Sequence, residues 1–412
     1  MSRKKKDVLF LCQYFYPEYV SSATLPFDTA VALSKAGFTV GAIAGYPKEY
    51  SFTGEVPLRE VHEGIEINRL KYLQVKRSNI IGRLVNYFSY TFSVALHFSE
   101  LRKYKTIIVY SNPPILPFIA ALANKFFKTK VVFVSYDVYP EMAYITNTIS
   151  KDSMISKMMK WVNQVVFKHV NKVVALSNEM KAYLLKNRSS LSEKQVEVIP
   201  NWYEDKGKTV QADTINNELF QSINNDDNIV VSYFGNLGIC QDLDTIVDAI
   251  RNVKNDTNVQ FLFAGHGNKM QLLKDIVQKE KLENVKIFDF LHGQDFQDAL
   301  SISDVFIVSL ANGLTGLAVP SKTYSYMMAG KPVIAIMGAD SDIAKDLVEN
   351  EAGYSIQVGE SSKLVEAIQE LQNDKEKRED MGDNCRNIFL EKYTKEHCTQ
   401  QYVNMMRELL ED

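Results

Sequence analysis

Short apolar runs alternate with amphipathic stretches along most of the chain, and this alternation constrains the fold more than any other feature. DVLFLCQYF is followed by TLPFDTAVALSKAG, whose apolar residues recur at helical spacing, and then by TVGAIAG. TIIVYS, KVVFVSYD, KVVALS and VEVIPN continue the series. A polar stretch, NWYEDKGKTVQADTINNELFQSINNDDN, interrupts it. The pattern then restarts with NIVVSYFGN, LDTIVDAIRNV, VQFLFAG, MQLLKDIVQKEK, VKIFDFL, DVFIVSL and KPVIAIM. Uncharged runs of strand length separated by helices imply parallel sheets covered on both faces. The predicted fold is therefore α/β, with two Rossmann-like, doubly wound domains facing each other across a cleft. Residues 1–200 form the first domain and 201–390 the second, and 391–412 form a helix that packs back on the first. In such sheets ligands bind beyond the carboxyl ends of the strands.

Composition narrows the function classes. Hydrophobic residues make up 46% and charged residues 24%, a globular mixture. The four cysteines, Cys12, Cys240, Cys385 and Cys398, lie far apart and lack ligand-like partners, so neither a disulfide framework nor a zinc site is indicated. The N-terminal MSRKKKDVLFLCQYF fits a first strand better than a signal peptide, and no run reaches the length of a spanning helix. A cytoplasmic location is expected. The net charge of −3 is unevenly distributed. Residues 1–200 carry 27 Lys and Arg against 15 Asp and Glu, leaving 20 against 35 in the remainder. The basic half is expected to face an anionic partner. No base-reading module is visible, so nucleic acid is not expected.

A membrane surface fits that half better. KYLQVKRSNIIGRLVNYFSYTFSVALHFSELRKYK flanks an aromatic, apolar helix with cations, a pattern of interfacial helices. Arg77, Arg83, Tyr87 and Phe88 are its candidate membrane-facing residues. Trp161 in SKMMKWVNQVVFKHVNK is another. The competing account of either segment is a buried amphipathic helix.

Three groups of residues suggest chemistry. VVSYFGNLG ends a strand in a loop containing Gly235 and Gly238, where backbone N–H groups can approach an anion. A plain strand–turn–helix would use the same residues, with Asp242 as the helix cap. In AVPSKTYSYMMAG, Pro320 and Ser321 look like a helix start and Gly330 its end. Lys322 then falls in the first turn, where the helix dipole disfavours a cation. A bound diphosphate would make that placement favourable. VSYDVYPEM places Asp137 and Glu141 just beyond a strand, where carboxylates can orient a hydroxyl or stabilise a cationic transition state. Glu18, Ser21 and Ser22, between the first strand and first helix, are further candidates for touching phosphate or acceptor.

FGNLGICQDLDTIVDAI, FLFAGHGNKMQLLKDI, FLHGQDFQDALSISDVFIVSL and GLAVPSKTYSYMMAGKPVIAI resemble the successive donor-domain motifs of glycosyltransferase family 4. These are retaining enzymes of GT-B architecture. QYFYPEY, VSYDVYPEM and IPNWYE resemble the subgroup that includes fucosamine-type transferases of O-antigen and capsule assembly. The resemblance implies a nucleotide-sugar donor, expected to be UDP-linked. It also implies a lipid-linked saccharide acceptor, no metal or other cofactor, and peripheral attachment to the inner face of the plasma membrane. It assigns Gly235, Asn236, Leu237, Gly238 and Gly265 to the donor diphosphate. Leu291 and His292 would hold the base, and Ser321 and Lys322 would reach the phosphates. Ser325 stands where many members have a glutamate that bonds the ribose, and Leu317 stands at another such position. Asn236 and Gln241 stand where many carry Arg and Lys, which shifts the neutralisation of the diphosphate to Lys322 and the helix dipoles. Two other classes share the pattern: a sugar-nucleotide epimerase and a non-catalytic binding protein of the same architecture.

Overall fold

A computed structural model of the chain describes residues 5–47, 55–75, 80–209, 217–220, 223 and 228–411. They form two compact units. The first comprises Met1–Asn201, Gly316–Val319 and Lys395–Asp412, and the second Trp202–Thr315 and Pro320–Thr394.

The first unit holds eight strands: β1 (Lys6–Leu11), β2 (Val40–Gly45), β3 (Arg59–His62), β4 (Ile65–Leu70), β5 (Tyr104–Tyr110), β6 (Lys130–Ser135), β7 (Lys172–Ala175) and β8 (Val196–Val198). Their order is β3-β4-β2-β1-β5-β6-β7-β8. Every pairing is parallel except β3 with β4, an edge hairpin with no counterpart in the sequence reading. Central strands are buried on both faces, so β1 and β5 read as continuous apolar runs, whereas β3 is half-exposed. The order reverses at β1 and β5, which makes the carboxyl ends of these two strands the switch point of the sheet. The helix Lys395–Glu411 packs on the helix Ser21–Lys35. Lys395 pairs with Asp28 at 2.7 Å, and Lys130 reaches the Leu409 carbonyl at 2.6 Å.

The second unit holds β9 (Ile229–Asn236), β10 (Val259–His266), β11 (Val285–Phe288), β12 (Val305–Ser309), β13 (Val333–Ile336) and β14 (Gly353–Ile356). They run all-parallel in the order β11-β10-β9-β12-β13-β14. This is the doubly wound order, with its switch point between β9 and β12. Ile229, Val231, Tyr233, Phe261, Phe263 and Ile307 contribute to the main core cluster of the unit.

Candidate functional site

In the second unit the GNLG loop lies at the end of β9, at the switch point. Gly265 shows why glycine is needed there: with φ near +145°, a Cβ would stand 2.0 Å from the Gly235 carbonyl oxygen. The ends of β9 and β10 could not approach so closely with any side chain at that position. The loop bonds both to the end of β10 and within itself. Leu237 donates its N–H to the His266 carbonyl (2.8 Å), and Gly238 donates to Gln241 Oε1 (2.8 Å). The Leu237 side chain is fully buried, so this residue anchors the loop. Ala311, just beyond β12, donates to the Cys240 carbonyl at 2.8 Å and ties the loop across the switch point. Asp242 does not cap the following helix. That helix spans Asp244–Asn252, its cap position falls on Leu243, and Asp244 supplies the first-turn negative charge. Asp242 lies one residue too early to reach the orphan amides.

The helix Lys322–Ala329 begins after Ser321 and ends at Gly330. Gly330 adopts the left-handed conformation at the C-cap, with φ +71°. Lys322 is therefore the first helical residue. Its ammonium donates to Tyr233 Oη and to the Asn236 carbonyl, the latter at 3.0 Å, and it lies 3.9 Å from the centroid of the Tyr233 ring. Burial lowers its amine to about 7. Ser321 is exposed. Ser325 is buried, and its hydroxyl donates to the Lys322 carbonyl at 2.8 Å. That hydroxyl serves the helix backbone.

A second lysine, absent from the sequence reading, meets the same loop. Lys269 is the second residue of the helix Asn268–Glu280. Its backbone N–H donates to the Leu237 carbonyl (3.0 Å) and its ammonium to the Gln241 carbonyl (2.6 Å). Two cations, each in a first helical turn that disfavours it, thus grip opposite ends of one glycine-bearing loop. On the loop itself both ammonium groups meet backbone carbonyls, Asn236 and Gln241, which leaves no pairwise signature there in the sequence. His292 is exposed in the cap position of the helix Gly293–Ile302, and Leu291 is half-buried before it. Phe290, exposed, lies 4.6 Å from the His292 ring and 5.4 Å from the His266 ring, centroid to centroid. These rings stand at the carboxyl ends of β10 and β11 and present an aromatic face.

In the first unit Asp137 follows β6. It lines a pocket with Ser111, Pro114, Phe133, Asn163 and Phe167. Ser111 Oγ accepts from the backbone N–H of Tyr136 (3.0 Å) and Asp137 (3.2 Å), and Val138 donates to the Leu317 carbonyl (2.9 Å). Burial pushes the Asp137 carboxyl up to about 6. Glu141, read from the sequence as a second catalytic carboxylate, has both oxygens on Arg188, at 2.9 and 2.8 Å. Arg188 also reaches the Tyr139 carbonyl at 3.2 Å. Glu18 is buried in the loop after β1, its N–H on the Phe15 carbonyl (3.0 Å). Ser21, exposed, and Ser22, half-buried, open the first turn of the helix Ser21–Lys35.

The helix Ile80–Leu96 has two unlike faces. Asn86, Tyr90 and Val94, four residues apart, are buried. Asn86 clamps both backbone groups of Val75, and Tyr90 Oη donates to the Cys12 and Ile43 carbonyls. Ile81, Leu84, Phe88, Phe92 and Leu96 form an exposed apolar stripe on the other side, with Ile81 68% and Leu96 69% exposed. The buried face bears out the account of a packed amphipathic helix, and the opposite face is an exposed apolar stripe. Arg83 is exposed and Tyr87 half-buried, and Arg77 lies outside the described residues. Trp161 is exposed on the helix Met154–His169, beside Met154, Ile155 and Met158. Among the described residues no helix is long and apolar enough to cross a membrane.

Two doubly wound parallel sheets are the GT-B fold, and two family models that together span most of the chain place it among the glycosyltransferases. Residues 27–202 match the family described as "Glycosyl transferase 4-like domain", and residues 214–388 match "Glycosyl transferases group 1". The chain is 24% identical over 367 residues to a probable glycosyltransferase, WbjE, of Pseudomonas aeruginosa, covering 87% of this chain and 88% of that one. Its fold is similar to that of sucrose-phosphate synthase from Thermosynechococcus elongatus, with a TM-score of 0.77, 16% identity, and coverage of 98% and 99% of the two chains. It is also similar to Anabaena HepE in complex with UDP, with a TM-score of 0.72, 17% identity, and coverage of 98% and 100%.

Proposed function

We propose that this glycosyltransferase moves a sugar from a UDP-linked donor to a lipid-linked saccharide acceptor in bacterial surface polysaccharide assembly. The transfer retains the anomeric configuration and takes place at the cytoplasmic face of the plasma membrane. The observation that carries the reading is the pair of lysines on the GNLG loop. Lys322 and Lys269 supply the positive charge that Asn236 and Gln241 do not, and the first-turn amides of the helix Lys322–Ala329 add their dipole. UDP bound to the similar HepE fold supports a uridine diphosphate here. The aromatic face of Phe290 and His292 suits stacking of the base.

In the reaction the bond from the anomeric carbon to the diphosphate oxygen breaks as an acceptor oxygen bonds to the same face of that carbon. The acceptor proton passes to the departing phosphate. The transition state carries positive charge on the sugar ring and growing negative charge on the leaving group. The two lysines stabilise the leaving group with no metal ion required. Asp137 in the first unit orients the acceptor hydroxyl in its ionised form. Glu141 holds the Asp137 segment through Arg188. The exposed stripe of the helix Ile80–Leu96, with Trp161 and the basic balance of residues 1–200, suits an anionic bilayer from which a lipid-linked acceptor can be taken.

The test is mass spectrometry of bacterial membrane lipids incubated with the protein and a panel of UDP-sugars. A lipid heavier by one sugar, with UDP released, is expected. Conversion of a UDP-sugar without lipid would replace this reading with epimerisation. Absence of any UDP binding would leave a non-catalytic protein.

A further inference from the structure

Lys322 is not held as a surface lysine would be. Its nitrogen, the Tyr233 hydroxyl and the Asn236 carbonyl form a closed triangle: Lys322 donates to both oxygens, and Tyr233 Oη donates to the same carbonyl at 3.0 Å. The Tyr233 ring lies beneath the ammonium, and Tyr233 is itself 1% exposed. Tyrosine at this position fills the core below and sets its hydroxyl between the Lys322 amine and the Asn236 carbonyl. We propose that Tyr233 is a positioning residue that berths Lys322 against the end of β9, so that arrival of the donor diphosphate draws a proton onto the amine. This rests on the reading of the GNLG loop as the donor site.

The surroundings of Lys322 give the proposal its physical basis. Lys322 is half-buried, burial draws its amine below the ordinary lysine range, and among the described residues no carboxylate raises its affinity for a proton. The neighbouring titratable and charged groups are engaged elsewhere. Tyr326 on the same helix is stacked on Phe306, and its hydroxyl exchanges hydrogen bonds with the backbone of Phe234. Tyr324 meets the Tyr393 ring, and Tyr393 donates to Asp346. On the helix Gly293–Ile302, Asp295 and Asp298 accept from Asn217. On the helix Lys375–Ile388, Arg386 bonds the Met328 carbonyl and Asp205, toward the far end of the helix Lys322–Ala329. A diphosphate would therefore be the first anion to face the amine, and it would favour the charged form. The Tyr233 ring and hydroxyl partly support that form before the donor arrives. Without the hydroxyl the amine would hold its proton less well.

The experiment is calorimetric titration with UDP-glucose, whose diphosphate keeps a constant charge, between about pH 5.5 and about pH 8.5. Wild-type affinity is expected to fall about tenfold per pH unit above the titration of the free amine. Tyr233→Phe keeps the ring and removes the hydroxyl. It should bind within about twofold of wild type at the acid end and about three- to tenfold more weakly near pH 8. Lys322→Arg, which stays charged, should bind with no pH slope. Repeating the titration in two buffers of different ionisation enthalpy counts the protons taken up, so the coupling is decided even if Tyr233→Phe does not fold. A wild type that binds no UDP-glucose at any pH would remove the donor-site reading itself. Binding without proton uptake, or a Tyr233→Phe loss equal at every pH, would overturn the role given to Tyr233 and leave the donor site standing.

Discussion

Arg188 and Glu141 offer the most direct test of how the first unit holds Asp137. The two side chains are 11% and 21% exposed and share two hydrogen bonds. Removing one partner of a fully buried ion pair costs roughly 3–5 kcal/mol, because the other charge is left uncompensated. The residual exposure here lets water reach the survivor, so Arg188→Ala should lose about 2–3 kcal/mol. Glu141→Gln should lose somewhat less, because an amide still bonds a guanidinium through one oxygen. For a body of this size that corresponds to a fall in Tm of roughly 4–12 °C. The double variant should lose less than the sum of the two single losses, with a coupling of about 1–2 kcal/mol. Urea unfolding of the four proteins measures the cycle, and turnover is followed on the same samples. On this reasoning Glu141→Gln reduces activity only as far as the Asp137 segment loosens. A Glu141→Gln protein that unfolds like wild type yet has lost all turnover would refute it and return Glu141 to the reacting atoms.

Gly265→Ala should lower stability by about 2–4 kcal/mol in urea unfolding and weaken UDP binding with it, because the clashing atom is a backbone carbonyl with little freedom to move. An unchanged midpoint would contradict the close approach of β9 and β10. Asp137 has its folded-state pKa raised to about 6, above the ordinary value near 3.9. The folded protein therefore binds more protons than the unfolded chain between these values, and stability should fall as pH rises from about 4 to about 6 and stay level above. Asp137→Asn should remove that decline, on the order of 1–2 kcal/mol, in unfolding measured at pH values on both sides of the window. Phe88→Glu with Phe92→Glu should cut sedimentation with anionic vesicles at least about tenfold without moving Tm, since both rings are exposed. Equal sedimentation would remove the membrane role of this stripe.

Legibility in the sequence followed burial and locality. The runs at β1, β5, β6, β9 and β10 could be read because strands buried on both faces carry few polar residues. The hairpin of β3 and β4 could not, because REVH is half-exposed and IEINRL mixes charge with apolar residues. The helix Lys322–Ala329 was legible from its own ends, Ser321 and Gly330. Lys269 was not, because its ammonium meets a carbonyl 28 residues earlier in another loop. Tyr233 was hidden for a related reason: within VVSYFGN it reads as one more residue of a buried strand, and its hydroxyl meets Lys322 through the approach of a helix far along the chain. Asp242 was misplaced because a cap depends on the exact residue at which the helix begins.

The first unit is assembled from three separate stretches of chain, the last of which is the helix Lys395–Glu411. The opening stretch of this unit thus meets its closing helix only after the whole second unit has been made. Until Lys395–Glu411 arrives, the helix Ser21–Lys35 stays uncovered along one side and its Asp28 lacks the Lys395 ammonium. Truncation before Lys395 would therefore injure residues near position 28, and a fragment stopping near residue 201 would inherit an unfinished fold.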